Sequence, residues 1–189
     1  MAKNLIIFIH KNTIQMKKIF LIPFIAMIAA CNCQKQTNES NQEKKIIANS
    51  QCPDDGKCTI EIKEQKSLNV KTDEFGSTYY ELVDDKTTSV IIYKYIRNIE
   101  EGLQDANYRE EIVFETNNTN TVSLKNNDLQ QTKMLFGRFC FCRGQTGYYK
   151  VTNGNLQLTN KGNKLDFNLN FIISQVPQIV NSIEYTIIK

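Results

Sequence analysis

Apolar and polar residues alternate strictly from Leu165 to Phe171, and this pattern constrains the fold more than any other feature of the chain. The segment reads Leu-Asp-Phe-Asn-Leu-Asn-Phe. Successive side chains of a β-strand point to opposite faces, so a strand here places its hydrophobic residues on one side and its polar residues on the other. The period is two, not the 3.6 of a helix. The segment is therefore predicted to be a β-strand with one buried face.

Further segments alternate in the same way, and turn-forming residues separate them. The Asn153-Gly154 pair is the strongest hairpin signal in the chain, and it predicts that strands 148–152 and 155–158 pair with each other. Helix is restricted to a turn or two within 99–109 and 127–132. The other predicted strands are 59–63, 67–71, 78–83, 89–97, 110–116, 121–125, 133–143 and 183–188.

The fold class follows from this alternation. One-sided alternation leaves one face of each strand in solvent, which fits antiparallel strands and argues against a parallel sheet buried on both faces. We predict a mainly β fold, an antiparallel sandwich or barrel of about 8–11 strands with little helix. The residues predicted to face inward are Ile60, Ile62, Val90, Ile92, Ile112, Phe114, Phe136, Leu156, Leu158, Leu165, Phe167, Leu169 and Phe171.

The amino-terminal region has the organisation of a secretion signal. Met16-Lys17-Lys18 is followed by an apolar run, 19–27, and then by Ile28-Ala29-Ala30-Cys31. The apolar run is shorter than the about 20 residues that a membrane-spanning helix needs. Because a signal peptide does not require the residues before Met16, we expect translation to start there, and either start gives the same mature chain.

Ile28-Ala29-Ala30-Cys31 resembles the lipobox of bacterial lipoproteins, in which a branched apolar residue and two small ones precede a cysteine. The resemblance implies that residues 1–30 are removed and that Cys31 carries a covalent lipid, which makes the bilayer a partner of the chain. Each buried CH₂ adds about 0.8 kcal/mol, so two or three acyl chains anchor stably. The polar residues 31–51, here called the tether, are predicted to be flexible, and residues 52–189 to form a single β domain.

The location of the anchored protein follows from the same resemblance. The tether lacks the acidic cluster that marks surface-exported lipoproteins of some Bacteroidota, and Asn32, not aspartate, follows Cys31. This implies an exported protein on the periplasmic side of the outer membrane. The Lys/Asn/Ile-rich domain also resembles small cysteine-containing lipoproteins of Bacteroidota, a resemblance that implies no activity.

Several function classes are excluded by composition. The only histidine, His10, lies in the predicted signal peptide, so the mature chain lacks Ser-His-Asp triads, Cys-His pairs and His-ligated zinc. The neighbouring acids Glu110 and Glu111 point to opposite faces of a strand, which does not suit a glycosidase pair. No catalytic residue is predicted, and the protein is expected not to be an enzyme.

Nucleic acid is not expected among the partners. The chain has 23 Lys+Arg against 20 Asp+Glu, and its excess of positive charge comes from lysines within residues 1–30. The mature chain is therefore close to electroneutral and has no basic run. Without a basic surface, the electrostatic basis for binding nucleic acid is missing.

Four cysteines, Cys52, Cys58, Cys140 and Cys142, belong to the predicted β domain. In an oxidising compartment they are expected to form two disulfides, for which three pairings are open. A Pro-Asp-Asp-Gly turn lies between Cys52 and Cys58, so their bond would form easily. On one strand, Cys140 and Cys142 would have Cα atoms about 6.6 Å apart, close to the long limit for a disulfide, so their bond would be strained.

Two alternatives to a structural clamp remain for Cys140 and Cys142. A Cys-x-Cys pair is a soft thiolate ligand set that suits Cu(I). The second alternative is a redox-active pair of cysteines, because Arg138 and Arg143 flank them and positive charge favours thiolates. Apart from the lipid on Cys31, the clamp requires no metal and no cofactor.

We therefore predict a non-enzymatic envelope lipoprotein that presents a disulfide-stabilised β domain to a ligand or partner, either an envelope protein or a glycan. The candidate binding surface consists of Arg138, Arg143, Tyr148 and Tyr149. The alternative is a thiol-based copper-handling or redox protein that uses Cys140 and Cys142.

Overall fold

The computed structural model describes residues 45–50, 52–99, 102, 105–117 and 121–188. Cys31 and the predicted signal peptide lie outside them. The described residues form ten strands, all paired antiparallel, and one 3₁₀ helix, which confirms the predicted fold class. The strands are β1 (Lys45–Ala48), β2 (Gly56–Thr72), β3 (Thr78–Arg97), β4 (Tyr108–Asn117), β5 (Thr121–Lys125), β6 (Leu135–Cys140), β7 (Gly147–Lys150), β8 (Gly154–Lys161), β9 (Lys164–Phe171) and β10 (Ser182–Ile188).

Two five-stranded sheets contain these strands. Sheet A has the order β1-β10-β9-β8-β5, and sheet B has the order β2-β3-β4-β6-β7. Thr78 of β3 also pairs with Tyr148 of β7, which closes β3, β4, β6 and β7 into a small barrel. The 3₁₀ helix, Asn126–Thr132, is one of the two short helices predicted; the described part of 99–109 is not helical, and β4 begins at Tyr108.

The main core lies between the two sheets. Alternate residues of β9, from Leu165 to Phe171, face it as predicted. Aromatic rings from both sheets meet there, with the centroids of Phe114 and Phe167 5.4 Å apart. Of the residues predicted to face inward, all are buried except Ile60 and Ile62, which are half-buried against this core.

A second core lies on the other face of sheet B. Its buried members are Leu68, Val90, Ile92, Val113 and Leu135. The central strands of sheet B therefore bury both faces, and the prediction that one face of each strand is solvated is wrong for them. The consequence is a run of consecutive buried residues in each strand: 88–93 in β3, 110–114 in β4 and 135–138 in β6.

Strand β1 lies within the segment predicted to be the flexible tether. Lys45 pairs with Ile188 and Ala48 with Tyr185, so residues 45–48 belong to the folded sheet. The apolar residues that interrupt the polar tether make this strand, and it covers the otherwise open edge of β10. For these residues the predicted boundary at Cys52 is wrong.

The predicted Asn153-Gly154 hairpin is also wrong. Strand β7 belongs to sheet B and β8 to sheet A, so these residues connect the two sheets. Gly154 has φ +156°, and a Cβ there would lie 2.3 Å from the carbonyl oxygen of Asn170. The glycine therefore permits close approach of β8 to β9 instead of a two-residue turn.

Candidate functional site

A disulfide closes the turn at the end of β6. Cys140 is the last residue of the strand, and Cys142 lies beyond it, with Cα atoms 5.1 Å apart. The prediction that the strand continues to Arg143 is wrong, and because the chain turns, the two cysteines approach more closely than strand neighbours do. Cys52 and Cys58 form the second disulfide, across the predicted turn, with Cα atoms 5.7 Å apart. We call Cys140-Phe141-Cys142 the Phe141 turn.

Two clefts border the Phe141 turn. The larger, of about 540 Å³, has Ile96, Arg109 and Phe139 in its wall and is called here the Phe141 cleft. The smaller, of about 390 Å³, lies against Arg97 and Cys142. Phe141 lines both clefts, although 83% of its surface is exposed. A single exposed apolar side chain is common at protein surfaces, so the cleft beside Phe141 and the disulfide that closes its turn are what distinguish this position.

An aromatic cluster supports the wall of the Phe141 cleft. The Phe139 and Tyr148 rings lie edge-to-face, with their centroids 5.2 Å apart. The Arg109 guanidinium lies over the Phe139 ring, 4.3 Å from its centroid. Tyr148 donates a hydrogen bond of 2.6 Å to Glu111 Oε2. A Cβ on Gly137 would lie 2.6 Å from the Tyr148 ring, so glycine is required for this packing. The cluster fixes Phe139 before any ligand binds.

The opposite face of β6 carries a buried polar chain. Arg138 is only 7% exposed and donates from Nε to the Tyr108 hydroxyl at 3.3 Å and from Nη1 to the Gln145 side chain at 2.9 Å. Tyr108 in turn donates to Glu110. Burial, and then the hydrogen bond to the Glu110 carboxylate, raise the pKa of Tyr108 to about 12. Arg138 therefore links the buried Tyr108 to the exposed Gln145 and is held within the protein instead of being presented at the surface.

The four residues of the predicted binding surface do not share one face. Arg138 is buried, Arg143 is exposed, and Tyr148 and Tyr149 point to opposite sides of β7. Tyr148 packs against the second core and Tyr149 against the main core. The side chains of Tyr148 and Tyr149 are separated because successive residues of a strand point to opposite faces of the sheet.

Sequence reasoning missed the cleft residues that come from other strands. Ile96 of β3 pairs with Arg109 of β4, and Arg109 in turn pairs with Phe139 of β6. The three residues therefore lie side by side across three adjacent strands. Register between distant strands leaves no local signal in the sequence. The exposed Phe141 was visible only as one of several aromatic residues near the cysteines.

The buried chain that includes Arg138 reaches the end of β10 that is opposite Lys45, the first residue of β1. The first residue of β1, Lys45, pairs with the last residue of β10, Ile188. At the other end of β10, Val180 donates to Glu110, which belongs to the buried chain under the turn. Seven residues of β10 span about 20 Å between these ends, at about 3.3 Å per residue.

No cluster of three or more His, Cys, Asp or Glu residues that could hold a metal occurs in the described part of the chain. Thiolates, and not disulfide sulfur, bind Cu(I), so copper binding by Cys140 and Cys142 would require prior reduction of their bond. Among the described residues no helix is long and apolar enough to cross a membrane. No family model, curated protein or solved structure matches the chain.

Proposed function

We propose that this chain is a lipid-anchored envelope protein that binds a partner protein at the Phe141 cleft. The observation that carries the proposal is Phe141 itself, 83% exposed on a disulfide-closed turn at the rim of a cleft of about 540 Å³. Exposed aromatic residues beside a pocket are typical anchors of protein interfaces. The proposed role is binding, without catalysis.

Rigidity supports this role. The disulfide restricts the backbone of the Phe141 turn, and the packed rings of Phe139 and Tyr148 restrict the cleft wall. Binding to a surface that is already ordered avoids the entropy cost of ordering it, which is about 0.5–1.5 kcal/mol for each flexible side chain. A preorganised site of this size suits an inserted apolar side chain of a partner.

The tether is long enough for the lipid anchor to leave the domain accessible. With lipid on Cys31, the first described strand begins 14 residues further along the chain, at Lys45. Residues 31–44 can span at most about 50 Å. The proposed attachment is to the periplasmic side of the outer membrane.

Lipidation of Cys31 is tested by labelling cells with an alkyne analogue of palmitate. We expect label in the wild-type protein and in Cys33→Ser, and none in Cys31→Ser, which should also leave the membrane fraction. Cys33 is a matched control because it lies two residues away in the same tether. Equal labelling of Cys31→Ser and wild type would contradict the proposed anchor.

The cleft is tested with a photo-crosslinking amino acid at position 141 in living cells. Phe75, 85% exposed at the turn between β2 and β3, is the matched control position, because it also borders a cleft, of about 410 Å³, but lies on a turn that no disulfide closes. We expect a discrete crosslinked product from position 141 and not from position 75. Ile96→Glu should remove that product, because it places a charge in the cleft, whereas Ile172→Glu at an exposed site outside it should not. A product insensitive to Ile96→Glu would refute binding in the cleft.

A further inference from the structure

We propose that the Cys140–Cys142 disulfide undergoes thiol–disulfide exchange with a partner protein that carries a pair of cysteines, and that Cys142 is the sulfur attacked. The inference adds a redox reaction to the partner binding proposed above, and it uses the same turn. It does not depend on the lipid anchor. The access to the turn and the contrast in access with the other disulfide carry it.

Access distinguishes the two sulfur atoms of the turn. Cys140 packs against the main core, at the end of β6. Both cysteines are half-buried and line the smaller cleft, of about 390 Å³, and Cys140 also borders the Phe141 cleft. Cys142 lies beyond the strand and is not among the residues packed against the main core. An incoming thiolate must approach one sulfur along the S–S axis, and the packing of Cys140 against the core leaves Cys142 as the more open end of that axis. Cys140 is then the sulfur that leaves.

An exposed arginine, Arg143, follows Cys142 in the sequence. In the smaller cleft itself, Arg97 is paired with Asp55 at 3.2 Å and Asp105 is a further lining residue, so Arg143 is the positive charge on which the exchange relies. Positive charge next to a cysteine stabilises the thiolate, which is both the nucleophile and the leaving group of exchange. The turn therefore favours the charged species that the reaction forms.

The second disulfide differs in its access and not in its neighbouring charge, because the exposed Lys57 precedes Cys58 as Arg143 follows Cys142. Both of its cysteines pack against the main core, and the Tyr93 hydroxyl lies 2.9 Å from Cys58 Sγ. Tyr93 is itself 3% exposed, so it covers this sulfur from the side of the core. Neither of the clefts at the Phe141 turn reaches Cys52 or Cys58. The protein thus contains an internal control for the reactivity of a disulfide.

The exchange balances without a cofactor. A thiolate of the partner attacks Cys142 Sγ, a mixed disulfide forms, and the Cys140–Cys142 bond breaks with Cys140 leaving as thiolate. The second thiolate of the partner then attacks the partner's sulfur atom in the mixed disulfide, which forms a disulfide within the partner and releases Cys142 as a thiolate. The partner has lost two electrons and gained a disulfide, and Cys140 and Cys142 have gained those two electrons. The protons of the partner thiols go to solvent or to the new thiolates.

The Phe141 and Phe139 rings supply the surface on which the partner segment lies. Phe141 borders both clefts, so an apolar residue next to the partner cysteine can pack against it while the sulfur enters the smaller cleft. Contact of this kind holds two reacting sulfurs near each other and lowers the entropy cost of the encounter. The exchange should therefore be faster with a peptide that carries an apolar residue beside its cysteine than with glutathione.

The first experiment uses the full-length, unaltered protein and reduced glutathione as the probe. Aliquots are alkylated over time and digested with trypsin, which cleaves after Arg138 and Arg143 and so isolates Cys140 and Cys142 in the single peptide Phe139–Arg143. We expect this peptide to be reduced about tenfold faster or more than Cys52 and Cys58, with the near-ultraviolet circular dichroism of the tyrosines retained. Equal rates for the two disulfides, or reduction only as the fold is lost, would overturn the proposal.

The second experiment separates the roles of the two cysteines. The Cys140→Ser variant leaves Cys142 as a free thiol at the cleft, and with oxidised glutathione it should form a stable adduct mapped to the peptide Phe139–Arg143. The Cys142→Ser variant leaves Cys140 against the core, and its adduct should form about tenfold more slowly or not at all. The reverse order of rates would overturn the assignment of Cys142 as the attacked sulfur.

The outcomes also separate this inference from the proposed function. If crosslinking from position 141 fails but the selective reduction occurs, the exchange stands and partner binding in the cleft falls. If crosslinking succeeds but both disulfides resist glutathione equally, the binding role stands and the exchange falls.

Discussion

Replacing Glu110 with alanine is expected to destabilise the domain by about 3–5 kcal/mol. The Glu110 side chain is fully buried and joins the two sheets. Its Oε1 accepts hydrogen bonds from the backbone N–H of Ile179, at 2.7 Å, and from the Tyr108 hydroxyl. Its Oε2 accepts one from the backbone N–H of Val180, also at 2.7 Å. A single carboxylate on sheet B therefore accepts two backbone hydrogen bonds from the loop between β9 and β10 of sheet A.

The magnitude follows from what the substitution leaves unpaired. In Glu110→Ala the two N–H groups and the Tyr108 hydroxyl all lose their acceptor. A buried donor without a partner costs about 1–3 kcal/mol. The sum overstates the loss, because the variant no longer pays the desolvation of a buried carboxylate and because water can enter the space left. Glu110→Gln keeps the shape and one acceptor oxygen, and it should lose about 1–3 kcal/mol.

Urea unfolding measures the effect. The chain has no tryptophan, so far-ultraviolet circular dichroism and tyrosine fluorescence report the transition. Glu81→Ala is the control, because Glu81 pairs with Lys71 at 2.6 Å on the surface and its loss should cost at most about 1 kcal/mol. If Glu110→Ala unfolded at the same free energy as this control, the carboxylate would not join the sheets as described.

Three further predictions follow from the packing and the pKa values. Gly137→Ala forces a Cβ to within 2.6 Å of the Tyr148 ring and should lower the free energy of unfolding by about 1–3 kcal/mol in urea titrations; an unchanged midpoint would contradict the packing. Replacing both Cys52 and Cys58 with serine should lower it by about 2 kcal/mol through loop entropy and reduce the thermal midpoint, whereas a gain in stability would be inconsistent with a clamp. The pKa of Tyr108 rises from 10.0 to about 12 on folding, so its contribution to the free energy of unfolding is fully present below pH 10 and is lost as the pH rises toward 12. Urea midpoints across this range should show the decline, and a flat profile would refute it.

The segment Leu165–Phe171 shows where the sequence suffices to predict the fold. Strand β9 has one face on the main core and the other exposed or half-exposed, so its burial alternates with the same period as its sequence. Patterns of this kind identify a strand and its buried face together. Most of the core of sheet A was predicted for this reason.

Sheet B shows why the prediction was incomplete. Ile91 faces the main core and Ile92 the second core, and both are buried. A strand between two cores has no polar face, so the period of two disappears where the structure is most buried. Residues 89–97 were correctly predicted to be extended, but they form one continuous strand with 78–83, and the second buried face of this strand was not predicted. The same lack of a phase signal explains why Arg138, predicted to belong to a binding surface, is found buried.

The candidate site could be predicted only in part, because most of it is formed by residues that are distant in the sequence. The turn chemistry around Cys52 and Cys58 indicated their bond, because both cysteines belong to one short segment. The Phe141 cleft instead requires that Ile96, Arg109 and Phe139 lie on three adjacent strands in a particular register. That register is set by packing against both cores, and a single sequence contains no direct record of it.

Strand β3 belongs to both cores, and this sharing determines how the domain can open. Ile91 and Tyr93 contribute to the main core, while Val90 and Ile92 contribute to the second core, on the same uninterrupted strand. Displacing β3 therefore opens both cores at once. The slowest amides of β3 should exchange with deuterium only when the whole domain unfolds.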